Sequence, residues 1–535
     1  MRLLYIDIDT LRADHLGCYG YHRNTSPNID ALAKSALQFN EVYASDTPCL
    51  PSRSALLTGR FGIHNGVVNH GGTDADPVIE GPGRAFWSEL QLTSFPTQLK
   101  RLGMRTASIS SFAQRHSAFH WHAGFDEVIR VPGSIGLESA DEVFELAQDW
   151  LNRNAEQDNW FLHIHLWDPH TPYRAPASFG EPFADQPLPS WLTEEVRSAH
   201  WQGAGPHSAR ECNGFAPRAG ALERWPRQPQ EIPDMAAVRK MFDGYDTGVL
   251  YADTYVGRIL NVLADHNLLD DAAVMLSADH GETLGELNVY GDHQTADWCT
   301  SRVPLLLKWP GADKFSGRQM QGLHYQIDVT ATLIEMLGGK TPRSWDGQGF
   351  AESLDAGQDQ GREFLVVSQG AWTCQRSVRW GDNLLIKTLH DGKKVYIFID
   401  FEFWRQKEDE IMVLAFWSYF AVFLVALAVG WFTASRVIYP LKKLMRVIEN
   451  TDPDNLPSGF SKMFKEDEIG ALARAFETLF TRIKAFVHRE NQFTRDASHE
   501  LRTPVTVIKG AVELLKMSQS SIDAMTEKLV NRIDR

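Results

Sequence analysis

The run from Ile411 to Thr433 constrains this chain more than any other feature, because about 23 residues pass without a charge. That length lets a helix cross a hydrocarbon core of ~30 Å. A surface helix of a soluble domain would show a polar face, and here apolar residues fall on every face. Glu408, Asp409 and Glu410 precede the run, and Arg436, Lys442, Lys443 and Arg446 follow it. The basic flank puts the C-terminal side in the cytoplasm. The expectation is a single-pass membrane protein whose chain divides in two.

With 535 residues the chain needs more than one core. Its net charge of -15 speaks against nucleic acid as a partner. Cysteines 18, 49, 212, 299 and 374 show no paired spacing, so neither a disulfide framework nor a zinc ribbon is expected. The start, Met1 to Asp7, lacks the long apolar stretch of a signal peptide. Residues 1 to about 391 alternate short apolar runs, such as Leu3–Ile8, Trp160–Leu166 and Ala272–Leu276, with helical stretches. That alternation predicts an α/β fold with helices flanking a largely parallel sheet and a site at the strand C-termini. The Gly/Pro-rich stretch 203–233 reads as a surface insertion.

Asp7 and Asp9 are two apart on the first strand and share a face. Two such carboxylates repel unless a cation neutralises them. Asp279 and His280 leave the sheet after another strand. Oxygen ligands with one nitrogen suit a hard divalent ion, Ca²⁺ or Mg²⁺ and less often Mn²⁺. An Asp at a strand end also serves as a turn former or helix cap, so these pairs alone leave both readings open. Cys49 precedes a helix-like run in which Pro51 fits the first turn, so a nucleophile there faces a helix N-terminus suited to anions.

Cys49-x-Pro51-Ser52-Arg53, followed by Leu57-Thr58-Gly59-Arg60, resembles the signature of the sulfatase family. The resemblance extends through Asp9-Thr10-Leu11-Arg12-Ala13-Asp14, Asp168-Pro169-His170, Asp279-His280-Gly281-Glu282, and Val303-Pro304 with Trp309-Pro310-Gly311. It implies an alkaline-phosphatase-like mixed sheet and a hydrolase of sulfate monoesters on small molecules or glycans. It implies that a maturation enzyme oxidises Cys49 to formylglycine (3-oxoalanine). The hydrated aldehyde then offers one oxygen to sulfur, and deprotonation of the other expels sulfate. Carried over by position, Asp9, Asp279 and His280 match metal ligands alongside the modified Cys49, with Ca²⁺ the expected ion. Thr10 stands where relatives have a second acid, and Asp7 either substitutes for it or supports the ligands from behind. Arg53 and His170 match groups that contact the transferring sulfate, and His293 falls where many relatives carry a sulfate-binding lysine.

The chain departs from the family at the strand containing Thr106 and Ala107, where a lysine and a histidine are replaced by Ser111 and Ala113. Arg115 or His116 is a candidate replacement for the missing charge. The departure keeps phosphonate or phosphate diester hydrolysis open. Trp87, Trp121 and Trp167 are candidates for stacking on a sugar or aryl group, or for ordinary packing.

After the apolar run, Val437 to Leu444 and the apolar positions Ile469, Leu472, Ala473, Phe476, Leu479, Phe480 and Ile483 predict two amphipathic helices with a coiled-coil seam. Pro440-Leu441 and Asp467-Glu468-Ile469-Gly470 resemble the HAMP linker of bacterial sensors. Phe493 to Pro504, with Ser498-His499-Glu500-Leu501-Arg502, resembles the phosphoacceptor box of sensor histidine kinases. That resemblance makes His499 the phosphoacceptor, Glu500 its acid–base partner, 489–535 part of a dimerisation hairpin, and 436–535 a helical homodimer. No ATP-binding boxes follow, so kinase activity is not expected. The predicted segments are a truncated sulfatase domain at 1–391, an extracytoplasmic-type lead-in at 393–410, the span at 411–433, the linker at 436–488, and a partial phosphoacceptor domain at 489–535. The chain reads as a fusion of two truncated genes. The topology conflicts, since the basic flank asks for an exported N-terminal half that nothing exports. A second reading makes the protein a membrane signalling fragment with an inert N-terminal passenger.

Overall fold

The computed structural model describes residues 1–78, 90–212, 225–311, 315–381, 383–388, 401–450 and 459–533, with the side chains of 401–416, 497–501, 518–522 and 530–533 left out. Trp87, the expected junction at 391–393 and part of the 203–233 insertion lie outside the described residues. The chain forms two compact units, Met1–Trp404 and Arg405–Arg535.

In the first unit the strands are β1 (Arg2–Ile8), β2 (Leu37–Tyr43), β3 (Asp46–Thr47), β4 (Arg105–Ile109), β5 (Glu127–Ile129), β6 (Trp160–Leu166), β7 (Ala272–Ser277), β8 (Thr283–Leu284), β9 (Tyr290–Asp292), β10 (Arg302–Lys308), β11 (Gln319–Tyr325), β12 (Leu365–Gln369), β13 (Gln375–Trp380) and β14 (Asn383–Thr388). Eight of them form one sheet in the order β11-β2-β10-β7-β1-β6-β4-β5. The stretch from β7 to β5 is parallel, and β10 runs antiparallel to both neighbours. The central strands β1, β6 and β7 are buried along nearly their whole length, as near-continuous apolar runs covered on both faces must be. The helix Met235–Asp265 lays Val238, Met241, Phe242, Tyr245, Val249, Ala252, Val256 and Ile259 into the core at helical spacing. Its N-cap, Asp234, accepts a 2.8 Å bond from the amide of Ala237.

A second sheet, β14-β13-β12-β3, joins this core just ahead of Cys49. Its parallel pair β3–β12 sets Asp46 beside Ser368. Asp46 accepts bonds from the Gly62 amide at 2.9 Å and the Ser45 hydroxyl at 2.8 Å. Burial nevertheless pushes its carboxyl up to about 6. The folded state therefore holds this proton more tightly than the unfolded chain does, so stability is highest below the unfolded value of ~4 and falls as pH rises to about 6. Asp46→Asn is expected to flatten that fall and to leave the variant about 2 kcal/mol more stable than the parent at pH 8. Urea melts at pH 4.5 and pH 8 measure this, and parallel pH curves for the two proteins would refute it.

The second unit is helical, with Phe401–Thr433, Tyr439–Glu449 and Glu468–Ile533. Its described apolar part, starting at Trp417, has a mean hydropathy of 1.9 and is long and apolar enough to cross a membrane. Trp417, Tyr419, Val422, Val425 and Trp431 are all exposed, which a buried core helix would not allow. Leu444, Phe460 and Ala473 form a small core with Ile448, Phe464, Phe476 and Phe480, so the two amphipathic helices predicted for the linker do pack. The helix from Glu468 then runs unbroken past residue 488 to Ile533. Pro504 lies inside it, no turn separates linker from phosphoacceptor segment, and the helix makes no hairpin turn before Ile533. His499 and Glu500 lie in this helix, with their side chains outside the described residues.

Candidate active site and metal centre

Cys49 opens the helix Cys49–Thr58, every residue of which is buried. Ser52 ties that helix to the sheet by donating 2.5 Å to the backbone oxygen of Asp279. Gly59 ends it in the left-handed region, at φ 67°, where a Cβ would run into the ring of Trp345. The pairing of β1 with β6 and β7 then carries Asp7, Asp9 and Asp279 to the carboxyl edge beneath this helix start.

Arg53 is wholly buried among these acids. Its Nε donates to Asp7 at 3.0 Å, and its Nη1 to Asp9 at 2.9 Å and to Asp279. Nη2 meets His165 Nε2 at 2.6 Å. Burial opposes ionisation of the acids, yet the Arg53 guanidinium holds Asp9 well below the ordinary carboxylate range and Asp7 at about 2. Burial, with repulsion from Asp9 and Asp7, drives Asp279 the other way. Three carboxyls around one guanidinium leave negative charge that is only partly answered.

The donor atoms of Asp9, Cys49, Asp279 and His280 all lie within 4.8 Å of one another. His280 Nδ1 donates to the Gly281 carbonyl at 2.8 Å, which leaves Nε2 as a lone pair 3.0 Å from Cys49 Sγ. Asp9 Oδ1, Asp7 Oδ1 and Thr10 Oγ1 are buried without hydrogen-bond partners. Orphaned oxygens beside an imidazole lone pair are what a hard divalent ion would satisfy, so the residues present fit one. Asp7 stands outside the close four-donor group and is held by Arg53 and by His163, at 3.3 Å.

His170 and His293 join Cys49 in a second close group. His293 Nε2 is 4.0 Å from Cys49 Sγ, and its ring lies 4.1 Å from that of His280. Burial resists a charge on His293, while Asp292, Cys49 and Glu282 push its pKa well above the ordinary value. Burial drives the pKa of His170 well below the ordinary value, and its Nδ1 donates to the Thr171 carbonyl at 2.7 Å. Ser111, at the family's lysine position, donates to Glu138 instead. Arg115 packs over Trp167, 5.1 Å from its centroid. His116, by contrast, reaches Cys49 together with His70.

Sequence reasoning missed His163, His165, His70 and Trp372. The first two alternate on β6 in register with β1, Asp7 facing His165, and that period-two pair of imidazoles was a readable signal. His70 and Trp372 come from loops distant in sequence, their rings 5.2 Å apart. Trp121 and Trp167 are buried packing residues, whereas Trp372 is 44% exposed and stands 5.5 Å from His293.

A buried thiol at a helix start, acids at the carboxyl edge of a mostly parallel sheet and a ring of imidazoles define a hydrolytic α/β site. The chain belongs to the sulfatase family, whose model matches residues 2–339. The model of the His Kinase A phospho-acceptor domain matches 489–535, so the two halves are a fusion. The multifunctional alkaline phosphatase superfamily protein PehA of Trinickia caryophylli is 26% identical over 375 residues, covering 62% of this chain and 72% of that protein. An ulvan-active sulfatase of Formosa agariphila is 24% identical over 381 residues, covering 68% and 67%. The structure of a phosphonate monoester hydrolase from Silicibacter pomeroyi shares the fold, with a TM-score of 0.54 at 19% identity over 78% of this chain and 94% of that one.

Proposed function

We propose that the N-terminal unit hydrolyses sulfate monoesters through a formylglycine made from Cys49. The observation that carries this reading is the group of Asp9, Cys49, Asp279 and His280, four buried donors within 4.8 Å at a helix N-terminus. Asp9, Asp279 and His280 would hold a divalent ion, Ca²⁺ by the hardness of the oxygens, which supplies Lewis acidity toward a sulfate oxygen. The hydrated aldehyde, once formed at residue 49, would supply the attacking hydroxyl. Arg53 neutralises the acids behind the nucleophile rather than reaching outward, since its donors are committed to Asp7, Asp9 and Asp279. His293 carries the proton that binds a sulfate oxygen or passes to the leaving alkoxide. His170 holds a neutral imidazole near it, 5.8 Å between ring centroids. Trp372, exposed beside His293, offers a face to a sugar or aryl group.

The segment boundaries follow the same reading: a sulfatase domain at 1–391, a lead-in at 393–410, a membrane span at 411–433 with a cytoplasmic C-terminal side, a linker at 436–488 and a phosphoacceptor segment at 489–535. A helical homodimer through 436–535 would expose His499 for phosphorylation in trans by another kinase, with Glu500 as its acid–base partner.

The test is the full chain, co-expressed with a formylglycine-generating enzyme and supplied with an aryl sulfate, a sulfated sugar and an aryl phosphonate monoester. Sulfate release at a kcat/KM at least ~10-fold above the phosphonate value is expected. Phosphonate turnover exceeding sulfate turnover would move the assignment to the diesterase alternative, which the serine at 111 and alanine at 113 keep open. Phosphate transfer to His499 with neither esterase activity would leave only the signalling reading.

A further inference from the structure

We propose that the chain bearing an unconverted Cys49 thiol has a second, softer metal site, in which Cys49, His70 and His116 bind Zn²⁺. One sulfur and two imidazole nitrogens from these residues lie within 4.8 Å of one another. Zinc with a sulfur at ~2.3 Å and nitrogens at ~2.0 Å spaces its donors by about 3.5 Å, so closing the site takes shifts of about 1 Å. The Nε2 atoms of both histidines are buried and have no hydrogen-bond partner. A buried polar atom left unpaired costs about 1–3 kcal/mol, and a cation removes that cost at both rings together. The rings meet nearly edge to face, 4.6 Å apart at 79°, so they do not stack and block each other's approach to a shared ion.

The donor chemistry separates this site from the oxygen-rich one. Thiolate and imidazole select zinc, whereas Ca²⁺ takes oxygens. Binding replaces the thiol proton by the metal: the S–H bond breaks, an S–Zn bond forms, and H⁺ leaves to solvent, with no change of oxidation state. The site therefore exists only before conversion. Conversion to the aldehyde would remove the sulfur and destroy it.

The test uses the full chain in detergent, made without a maturation enzyme, with the Cys49 thiol verified by mass spectrometry. The metal-free protein is titrated with Zn²⁺ in millimolar Ca²⁺, and with Co²⁺ as a spectroscopic probe. One zinc per chain and a thiolate-to-cobalt charge-transfer band are expected, both lost in Cys49→Ser. His70→Gln and His116→Gln should each weaken zinc at least ~10-fold, and each by more than Asp9→Asn does. The reverse pattern, with zinc lost in Asp9→Asn and kept in the histidine variants, would put the ion among the acids and overturn the proposal. Should the histidine variants fail to fold, zinc-edge absorption of the parent chain decides. One sulfur with two imidazoles, kept in His170→Gln and His293→Gln, supports the site; that signature lost in either of those variants, one sulfur with one imidazole and oxygens, or a folded parent that binds no zinc refutes it.

Discussion

An Arg53→Met chain is expected to lose about 3–5 kcal/mol of stability in chelator and to regain most of it in millimolar Ca²⁺. Arg53 is the buried cation bonded to Asp7, Asp9 and Asp279 at once. Methionine keeps the volume and the apolar contact with Phe112, whose ring centroid lies 5.0 Å from the guanidinium carbon, but removes the charge. Asp7 and Asp9 then stay buried with only imidazoles beside them, His163 at 3.3 Å and His165 at 3.2 Å. Burial lowers both histidines and so works against their supplying the missing charge. A divalent ion among the acids would. The sign with pH follows from the same two carboxyls. Their folded values are depressed, so the parent's stabilisation is present above the unfolded value of ~4 and is lost as pH falls toward about 2, where Asp7 titrates. The variant should lack that acid limb. Thermal melts of parent and variant, with and without Ca²⁺, at pH 7 and pH 3.5, measure all of this. A loss that Ca²⁺ leaves untouched would mean that these acids serve Arg53 and bind no cation.

The residues that were legible in advance share a physical property: their partners are set by strand period or by one helix start. Asp7 and Asp9 lie on one face of β1, as two-residue spacing demands, and both reach Arg53. Asp279 and His280 leave β7 at the same edge. Cys49 and Arg53 are four apart on one helix, so the thiol and the guanidinium face the same acids. His70, His116 and Trp372 were harder to see, because loops bring them together and no local period marks a loop. His116 was half-seen, as one of two candidates for the missing charge, and packing separates them: Arg115 is drawn over Trp167 while His116 turns to Cys49. In the second unit the apolar length announced a long exposed helix. The division at residue 488 leaves no mark on the backbone, because helix formers continue across it and nothing there ends a helix.

Converting the site's own nucleophile separates the enzymatic reading from every structural use of this pocket. Cys49→Ala in the chain co-expressed with a maturation enzyme is expected to lower sulfate release by about 10³-fold or more, since it removes the attacking atom while His293 and the acids remain. Fold should survive: the thiol is wholly buried, and its nearest polar neighbour is His280 at 3.0 Å, which keeps its bond to Gly281. Cys49→Ser sharpens the test. A serine hydroxyl can take one sulfo group from an ester, but it carries no second hydroxyl whose deprotonation would expel sulfate. Release then requires water to attack a crowded anionic sulfur. The serine chain should therefore accumulate one sulfo group per molecule and stop, visible as an intact-mass shift that grows with aryl sulfate and is absent from the alanine chain. Full turnover by the alanine chain would show that the reaction does not pass through residue 49, and the thiol would then be left with packing or metal binding as its role.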